Sequence, residues 1–345
     1  MALDRPLRVV IVAPPYFSVP PDGYGGIEAV LALLVDGLAE RGHDVTLVGA
    51  GEPRTTGDFV ATFEEPQAGR LGQMQPELAH AARVEAVLAD LDHDVVHDHS
   101  AAAPLGAGHR AAPTVVTSHG PVVGEWGEYV THLSRSTAMV AISEAQRERA
   151  PQVRWAGMVH NAVDVAAIPF RTEKEDHVVW LGRFSPDKGA HLAIEVARSA
   201  GRSIRLAGKC DEPDEKRYFD EAVAPLLGSD AEYLGALGAE EKYELLGSAA
   251  AFVFPLQWEE PFGMVLLEAM ACGTPVLSLS RGAVPEVVAD GVTGYVRDDE
   301  SELAALLDQL DSIDPAACRA RVQERFGPRR MVDGYEEIYS RVIEV

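Results

Sequence analysis

Residues 253–290 read VFPLQWEEPFGMVLLEAMACGTPVLSLSRGAVPEVVAD, and the order of residue types in this stretch decides the fold. An apolar run over 249–254 has the composition of a buried strand, and Pro255 stops it. A polar, aromatic loop follows, Gln257-Trp258-Glu259-Glu260-Pro261-Phe262. Gly263 opens a helix of good helix formers over 264–271, which Cys272-Gly273 ends. Pro275 leads into a second apolar strand over 276–279. The sequence therefore predicts strand, loop, helix, strand. The loop lies at the C-terminal end of a strand, where open α/β sheets bind ligands.

Two carboxylates frame that loop. Glu260 stands before the helix and Glu268 in its second turn. Between them Gly263, Met264 and Val265 offer backbone N–H groups at a helix N-terminus, a ready anion site. A phosphate held there leaves Glu268 able to reach hydroxyls on an attached ribose, and Glu260 able to reach a further sugar. Either carboxylate alone reads as an ordinary surface charge. The combination with PFG and EAMACGTPV is far more specific.

The string EPFGMVLLEAMACGTPV resembles the signature of retaining nucleotide-sugar glycosyltransferases of the GT-B fold. Their hallmark is two glutamates separated by seven residues, matched here by Glu260 and Glu268. The resemblance implies an α/β architecture of two Rossmann-like, doubly wound parallel-sheet domains facing a cleft. It implies that Glu268 binds the nucleotide ribose and Glu260 the donor sugar. It also places Phe262, Gly263, Met264 and Val265 among the donor-binding residues.

At 345 residues the chain is long enough for two domains, each with its own core. Hydrophobic residues make up 47% and the mean hydropathy is close to zero, so the chain is globular. No apolar run is long enough to cross a bilayer, and MALDRPLRVVIVAPP reads as a strand rather than a signal peptide. Cys210, Cys272 and Cys318 are odd in number and widely spaced. They fit reduced thiols in a cytoplasmic protein better than a disulfide or metal framework.

The formal net charge is −24. Residues 1–168 hold 11 arginines, no lysine and 21 acidic residues. Such a chain has no general affinity for nucleic acid or anionic lipid. Related transferases acting on lipid acceptors carry basic or amphipathic docking surfaces, which this sequence lacks. The expectation is a soluble acceptor, with no nucleic-acid or membrane partner.

In the first half, strands are predicted over 7–13, 44–49, 59–63, 94–97, 114–118 and 138–142, with helices over 27–41 and 76–91. Residues 64–75 read as a loop. The first strand–turn–helix unit invites a dinucleotide fingerprint, but Glu28 stands where its third glycine belongs. Gly25 and Gly26 instead match the family's N-terminal glycine loop, which lets the backbone approach donor phosphate or acceptor; Gly23 reads equally as a tight turn. His97-Asp98-His99 invites a metal reading. Strand alternation puts both histidines on one face with Asp98 away from them, so lining of an interdomain cleft is the better reading. His119, just after a strand, matches the family's active-site histidine that contacts donor sugar or phosphate; alone it reads as a packing histidine. Ser143 with Gln146 three residues on forms a capping box. Residues 159–164, VHNAVD, resemble the segment that closes the first domain.

The second half opens with a strand over 177–181 and then GRFSPDKG, leading into a helix over 190–200. By resemblance, Arg183 and Lys188 bind the donor diphosphate, and an anionic donor needs cations on so acidic a chain. Strands are predicted over 204–207 and 231–234. Gly235 and Leu237, after the latter, form the expected nucleobase loop. Residues 283–288 read as a turn and short helix, 291–296 (GVTGYV) as hairpin-like, and 301–310 and 315–326 as helices. A final helix begins at Pro328 and crosses back onto the first domain. The expected division is 1–166, an acceptor-side domain, 167–327, a nucleotide-sugar-binding domain, and the returning helix 328–345.

The function implied is retaining transfer of a sugar from a nucleotide-diphosphate donor, a UDP-sugar, to a soluble natural-product or saccharide acceptor, with no metal and no cofactor. His119, Glu260, Arg183 and Lys188 form the expected catalytic set. The short chain, arginine bias and acidic surface resemble transferases of the avilamycin (orthosomycin) antibiotic type. A nucleotide-sugar epimerase of the same architecture, or a non-catalytic nucleotide-sugar-binding protein, would share these motifs.

Overall fold

The computed structural model describes residues 5–23, 25–310 and 312–344. Contacts divide the chain into two units, Met1–Ala162 with Pro328–Val345, and Val163–Gly327.

In unit 1 the elements run β1 Arg8–Val12, α1 Gly26–Glu40, β2 Asp44–Ala50, β3 Asp58–Phe63, α2 Met74–Asp90, β4 Val95–Asp98, β5 Thr114–Thr117, α3 Gly124–Leu133, β6 Ala138–Ala141, α4 Glu144–Arg149 and β7 Trp155–Met158. The strands form one parallel sheet in the order β3-β2-β1-β4-β5-β6-β7. β4 and β5 are buried along their whole length, which is why they read as short continuous runs without alternation. The order reverses at β1, between β2 and β4. Loops leaving β1 and β4 therefore diverge there and open a crevice at the carboxyl end of the sheet.

Unit 2 repeats the plan with β8 Val178–Leu181, α5 Ala190–Ser199, β9 Ile204–Ala207, α6 Pro213–Tyr218, β10 Ala231–Tyr233, α7 Ala239–Ser248, β11 Ala251–Phe254, α8 Met264–Ala271, β12 Val276–Leu279, α9 Val284–Val287, β13 Gly294–Arg297, α10 Leu303–Leu310 and α11 Pro315–Arg325. Its parallel sheet runs β10-β9-β8-β11-β12-β13, with the reversal at β8, next to β11.

Most element boundaries fall within two residues of the sequence reading, but two expectations are corrected. GVTGYV is not hairpin-like: β13 pairs parallel to β12, Val276 opposite Gly294 and Leu279 opposite Arg297. Helix α9 returns the chain to the same end of the sheet, so the following strand must run parallel. The capping box at Ser143 is also one residue displaced. Ser143 Oγ accepts from Gln146 N at 3.1 Å, while Gln146 Oε1 accepts from Ile142 N at 2.9 Å.

The last helix, α12 Pro328–Ile343, packs on unit 1. Arg41 at the end of α1 pairs with Asp333 and Glu336, and His43 Nε2 lies 3.0 Å from Glu336 Oε1. Deeper in, His97 Nδ1 meets the Tyr339 hydroxyl at 2.7 Å and His97 Nε2 meets Thr117 Oγ1 at 2.8 Å. Thr117 Oγ1 in turn meets the Tyr335 hydroxyl at 3.0 Å. All four side chains are buried. A neutral imidazole offers one donor and one acceptor, and this chain uses both. Burial holds the His97 imidazole well below its usual pKa, so the neutral form persists.

Glu28, in the first turn of α1, is 3% exposed. Its carboxyl makes no hydrogen bond to the side chain of another described residue, and burial pushes its pKa up to about 7.

Two measurements follow from these buried groups. Tyr339→Phe removes the partner of His97 Nδ1 and should destabilise the protein by about 1–3 kcal/mol in urea unfolding; no change would show that the hydrogen bond adds nothing. For Glu28 the folded pKa lies above the ordinary value of 4.5. Its burial penalty is absent below that value, grows as pH rises, and is complete above 7. Glu28→Gln should therefore stabilise the protein more at pH 8 than at pH 5, by about 2–3 kcal/mol more. An increment independent of pH would contradict this.

Candidate functional site

The reversal point of the unit 2 sheet brings together the loop after β8 and the loop after β11. The first carries Arg183 and Lys188, and the second carries Trp258, Glu259 and Glu260. They are joined by Gln257 N donating to Asp187 O at 2.8 Å. Lys188 Nζ lies 2.6 Å from Glu260 Oε2, and Trp258 Nε1 donates to the same oxygen at 3.2 Å. The Lys188 ammonium also stands 4.4 Å from the centroid of the Trp258 ring. The Lys188 and Glu260 side chains keep only 13% and 11% of their surface, so the pair is largely removed from water. Arg183 is different. Its side chain is 46% exposed, with Nη1 3.8 Å from Glu215 Oε1, too long for a hydrogen bond.

Gly263 caps α8 with φ +89°, a left-handed conformation, and a Cβ there would sit 2.7 Å from Leu266 Cδ1. Its turn sets Met264 and Val265, both half-buried, in the first turn of α8. Their N–H groups have no partner within the helix, and no side chain caps it. The Phe262 ring packs edge-on against Phe326 in the core of unit 2, which leaves only its backbone to face a ligand. One turn along α8, Glu268 Oε1 lies 2.6 Å from Lys242 Nζ of α7. Gly235 follows β10 and accepts from Gly208 N at 2.9 Å, with Leu237 half-buried two residues on.

In unit 1 the crevice between β1 and β4 holds a cavity of about 310 Å3. Gly25 and Gly26 line it, with Glu28, Glu77, His99, Ser118 and His119. His119 Nε2 lies 2.8 Å from His99 Nδ1, and the His97 ring lies behind His99, tilted at 44° with centroids 4.1 Å apart. Gln146 Nε2 donates to the carbonyls of Ser118 and Gly120 at 2.9 and 2.8 Å, which fixes the backbone on both sides of His119. Burial depresses the His119 pKa to about 4 and holds His99 well below the usual value. Both imidazoles are neutral near pH 7 and act as hydrogen-bond partners rather than cations. As strand alternation predicts, Asp98 turns away from the two histidines, toward Ser100 and Arg110. Among the described residues no group of three His, Cys, Asp or Glu side chains converges as a metal site, and no helix is long and apolar enough to cross a membrane.

Sequence reasoning missed three participants. Lys242 lies on a helix the sequence reading did not mark, and its pairing with Glu268 spans 26 residues. Trp258 was read as part of an aromatic loop, without its hydrogen bond to Glu260. Glu28 did leave a signal. It falls three and seven residues before Leu31 and Val35, on the buried face of α1, where a lone carboxylate is out of place.

The comparisons with known proteins cover both units. The family model described as glycosyl transferases group 1 matches residues 166–323, and that of glycosyltransferase family 4 matches residues 24–167. AviGT4, described as a glycosyltransferase involved in avilamycin A biosynthesis, is 30% identical, with a TM-score of 0.76 over 98% of each chain. The alpha-maltose-1-phosphate synthase of Mycobacterium tuberculosis is 29% identical over 93% of this chain and 92% of its own. HepE of Anabaena, solved in complex with UDP and glucose, shares the fold at 18% identity and a TM-score of 0.74, over 97% of this chain and 99% of its own. With parallel sheets of seven and six strands and these relatives, the chain belongs to the group 1 glycosyl transferases and has the GT-B fold.

Proposed function

We propose that this transferase moves a hexosyl group from a UDP-sugar to a soluble acceptor with retention of configuration and without a metal ion. One observation carries the reading: the Lys188–Glu260 pair, at 2.6 Å, beside a helix N-terminus at the reversal point of the unit 2 sheet. A diphosphate on the Met264 and Val265 amides competes for the Lys188 ammonium and releases Glu260 to accept from sugar hydroxyls. Arg183, exposed on the same loop, adds a second cation. As the glycosidic bond breaks, these donors meet the growing charge on the leaving phosphate, where preorganised donors stabilise a transition state most. In this reading a phosphate oxygen takes the acceptor proton as the acceptor attacks from the face the diphosphate leaves.

Glu268 receives the ribose hydroxyls and exchanges Lys242 for them, while Gly235 and Leu237 border the base. Neutral His119, between carbonyls anchored by Gln146, hydrogen-bonds the donor sugar, with the Gly25-Gly26 loop alongside. The acceptor is a natural-product or saccharide intermediate, a class consistent with the described role of AviGT4. Three free thiols suit work in the reducing cytoplasm.

UDP at a hundredfold excess over its Kd should stabilise the protein by about 2.7 kcal/mol in thermal-shift measurements, with EDTA making no difference. Absence of a shift with UDP and with other nucleoside diphosphates would remove the donor site. Glu268→Gln should weaken UDP itself by about 1.5–3 kcal/mol, measured by calorimetry. Glu260→Gln should spare UDP but impair binding and turnover of the UDP-sugar. Equal loss of UDP affinity in both variants contradicts this division. His119→Ala should lower turnover far more than UDP affinity, because the phosphate-binding groups all belong to unit 2. Normal turnover would take His119 out of the site.

A further inference from the structure

The unit 1 cavity has a chemical character that the transfer reaction leaves undefined. None of its lining residues is a lysine or an arginine, and residues 1–168 contain no lysine at all. The nearby Arg70 is exposed outside it, with its guanidinium engaged by Gln67 and Gln73. Two carboxylates, Glu28 and Glu77, face the cavity instead. Glu77 is already satisfied, its Oε2 accepting from Ala101 N at 3.1 Å and Ala102 N at 3.3 Å.

Other polar atoms here are not satisfied. Among the described residues His99 Nε2 and Ser118 Oγ are buried without a hydrogen-bond partner, and the buried Glu28 carboxyl makes no hydrogen bond to another described side chain. Buried polar groups ordinarily have partners, and two exceptions around one cavity, beside a buried carboxylate, point to a ligand. The opposite wall is apolar and aromatic: Trp126 and Tyr129 have ring centroids 4.9 Å apart, next to Leu133. Trp126 and Leu71 form an exposed apolar rim. At about 310 Å3 the cavity falls at the lower end of small-molecule sites, roughly 300–1,000 Å3.

From this geometry we infer that the cavity binds the acceptor, and that the acceptor is an uncharged polyhydroxylated ring, a neutral sugar or cyclitol, selected through Glu28 against phosphorylated and carboxylated counterparts. The inference rests on the transferase reading and adds the acceptor class to it. The ring lays its C–H face on Trp126 and Tyr129, and its hydroxyls complete His99 Nε2, Ser118 Oγ and Glu28. A phosphate in the same place meets two carboxylates and no cation. Near neutral pH the buried Glu28 is partly protonated and both donates to and accepts from a hydroxyl.

The test uses the full chain labelled with 5-fluorotryptophan, the Trp126 signal among the four tryptophans being assigned by Trp126→Phe. Glucose and myo-inositol are titrated against glucose 1-phosphate and myo-inositol 1-phosphate while fluorine resonances are recorded. A neutral compound should move the Trp126 signal at concentrations about tenfold or more below its phosphate, from like-charge repulsion in the pocket. Glu28→Leu, and separately Ser118→Ala, should each weaken the neutral compound about fivefold through the lost hydrogen bond, leaving UDP affinity unchanged. A phosphate that binds as well as its neutral counterpart overturns the inference. So does a Trp126 signal that no neutral compound moves, or a Glu28→Leu variant that binds like the parent. UDP titrated into the same samples separates the two readings. Loss of UDP binding in the parent protein defeats the transferase reading, whereas normal UDP binding with a phosphate-preferring cavity defeats only the acceptor class.

Discussion

The loop that carries Glu260 is held by its backbone, and the donor-side chemistry depends on that hold. Glu260 O accepts from Ala283 N at 2.8 Å, and Glu259 Oε2 accepts from Gly282 N at 2.6 Å. Gly282, at φ +56°, packs so closely under the Glu260 peptide that a Cβ there would collide with its backbone atoms. The chain following β12 thus forms a floor beneath the loop following β11. On that floor the Glu260 carboxylate has little freedom, and Lys188 and Trp258 fix its remaining direction. An ion pair this enclosed contributes less to stability than to position, because desolvation offsets much of its attraction. On the proposed function its value lies in keeping one cation and one carboxylate where a ligand of mixed character, phosphate next to sugar, needs both.

The same logic explains why the candidate residues lie where they do along the chain. A parallel sheet puts the carboxyl ends of all its strands on one side. A reversal of strand order then parts two neighbouring loops without any strand giving up its hydrogen bonds. In unit 2 the parted loops follow β8 and β11, and they carry Lys188 and Glu260. In unit 1 they follow β1 and β4, and they carry the Gly25-Gly26 loop and His99. Residues 72 positions apart, as Lys188 and Glu260 are, meet because topology places their strands side by side.

Local patterns made much of this legible. The run from Val253 to Leu279 contains its own strand, stop, helix opener and second strand, each specified by residues within a few positions, and the structure follows it closely. His119 after β5 and Ser143 at the start of α4 lie where the sequence reading placed them, because strand ends and caps are likewise local. What the sequence hid was set by long-range packing. Nothing near Lys242 says that α7 will lie beside α8, and nothing near His97 says that two tyrosines of α12 will close over it. GVTGYV was misread because two glycines look like a turn between antiparallel strands, while the direction of β13 is decided by the helix before it. Glu28 was legible as an anomaly but not as a cavity wall, since the cavity is built by residues from several separate segments between Pro14 and Met139.

Charge completes the account. With a net charge of −24, the protein repels anions over most of its surface, so an anionic donor depends on local cations. Those cations do not stand bare. Lys188 is paired with Glu260 and Lys242 with Glu268, so on the proposed function each ammonium is already held by the carboxylate assigned to the donor's sugar or ribose. Binding is then an exchange of partners rather than the filling of an unbalanced site. On the proposed function the phosphate takes Lys188 and the sugar hydroxyls take Glu260, while Glu268 turns from Lys242 to the ribose hydroxyls. That exchange requires a ligand carrying phosphate and hydroxyl groups in one molecule. An inorganic phosphate would free Glu260 without offering it a partner, and a free sugar would have to compete with the Lys188 ammonium. On the proposed function the two ion pairs would thus favour the intact nucleotide-sugar over either of its halves.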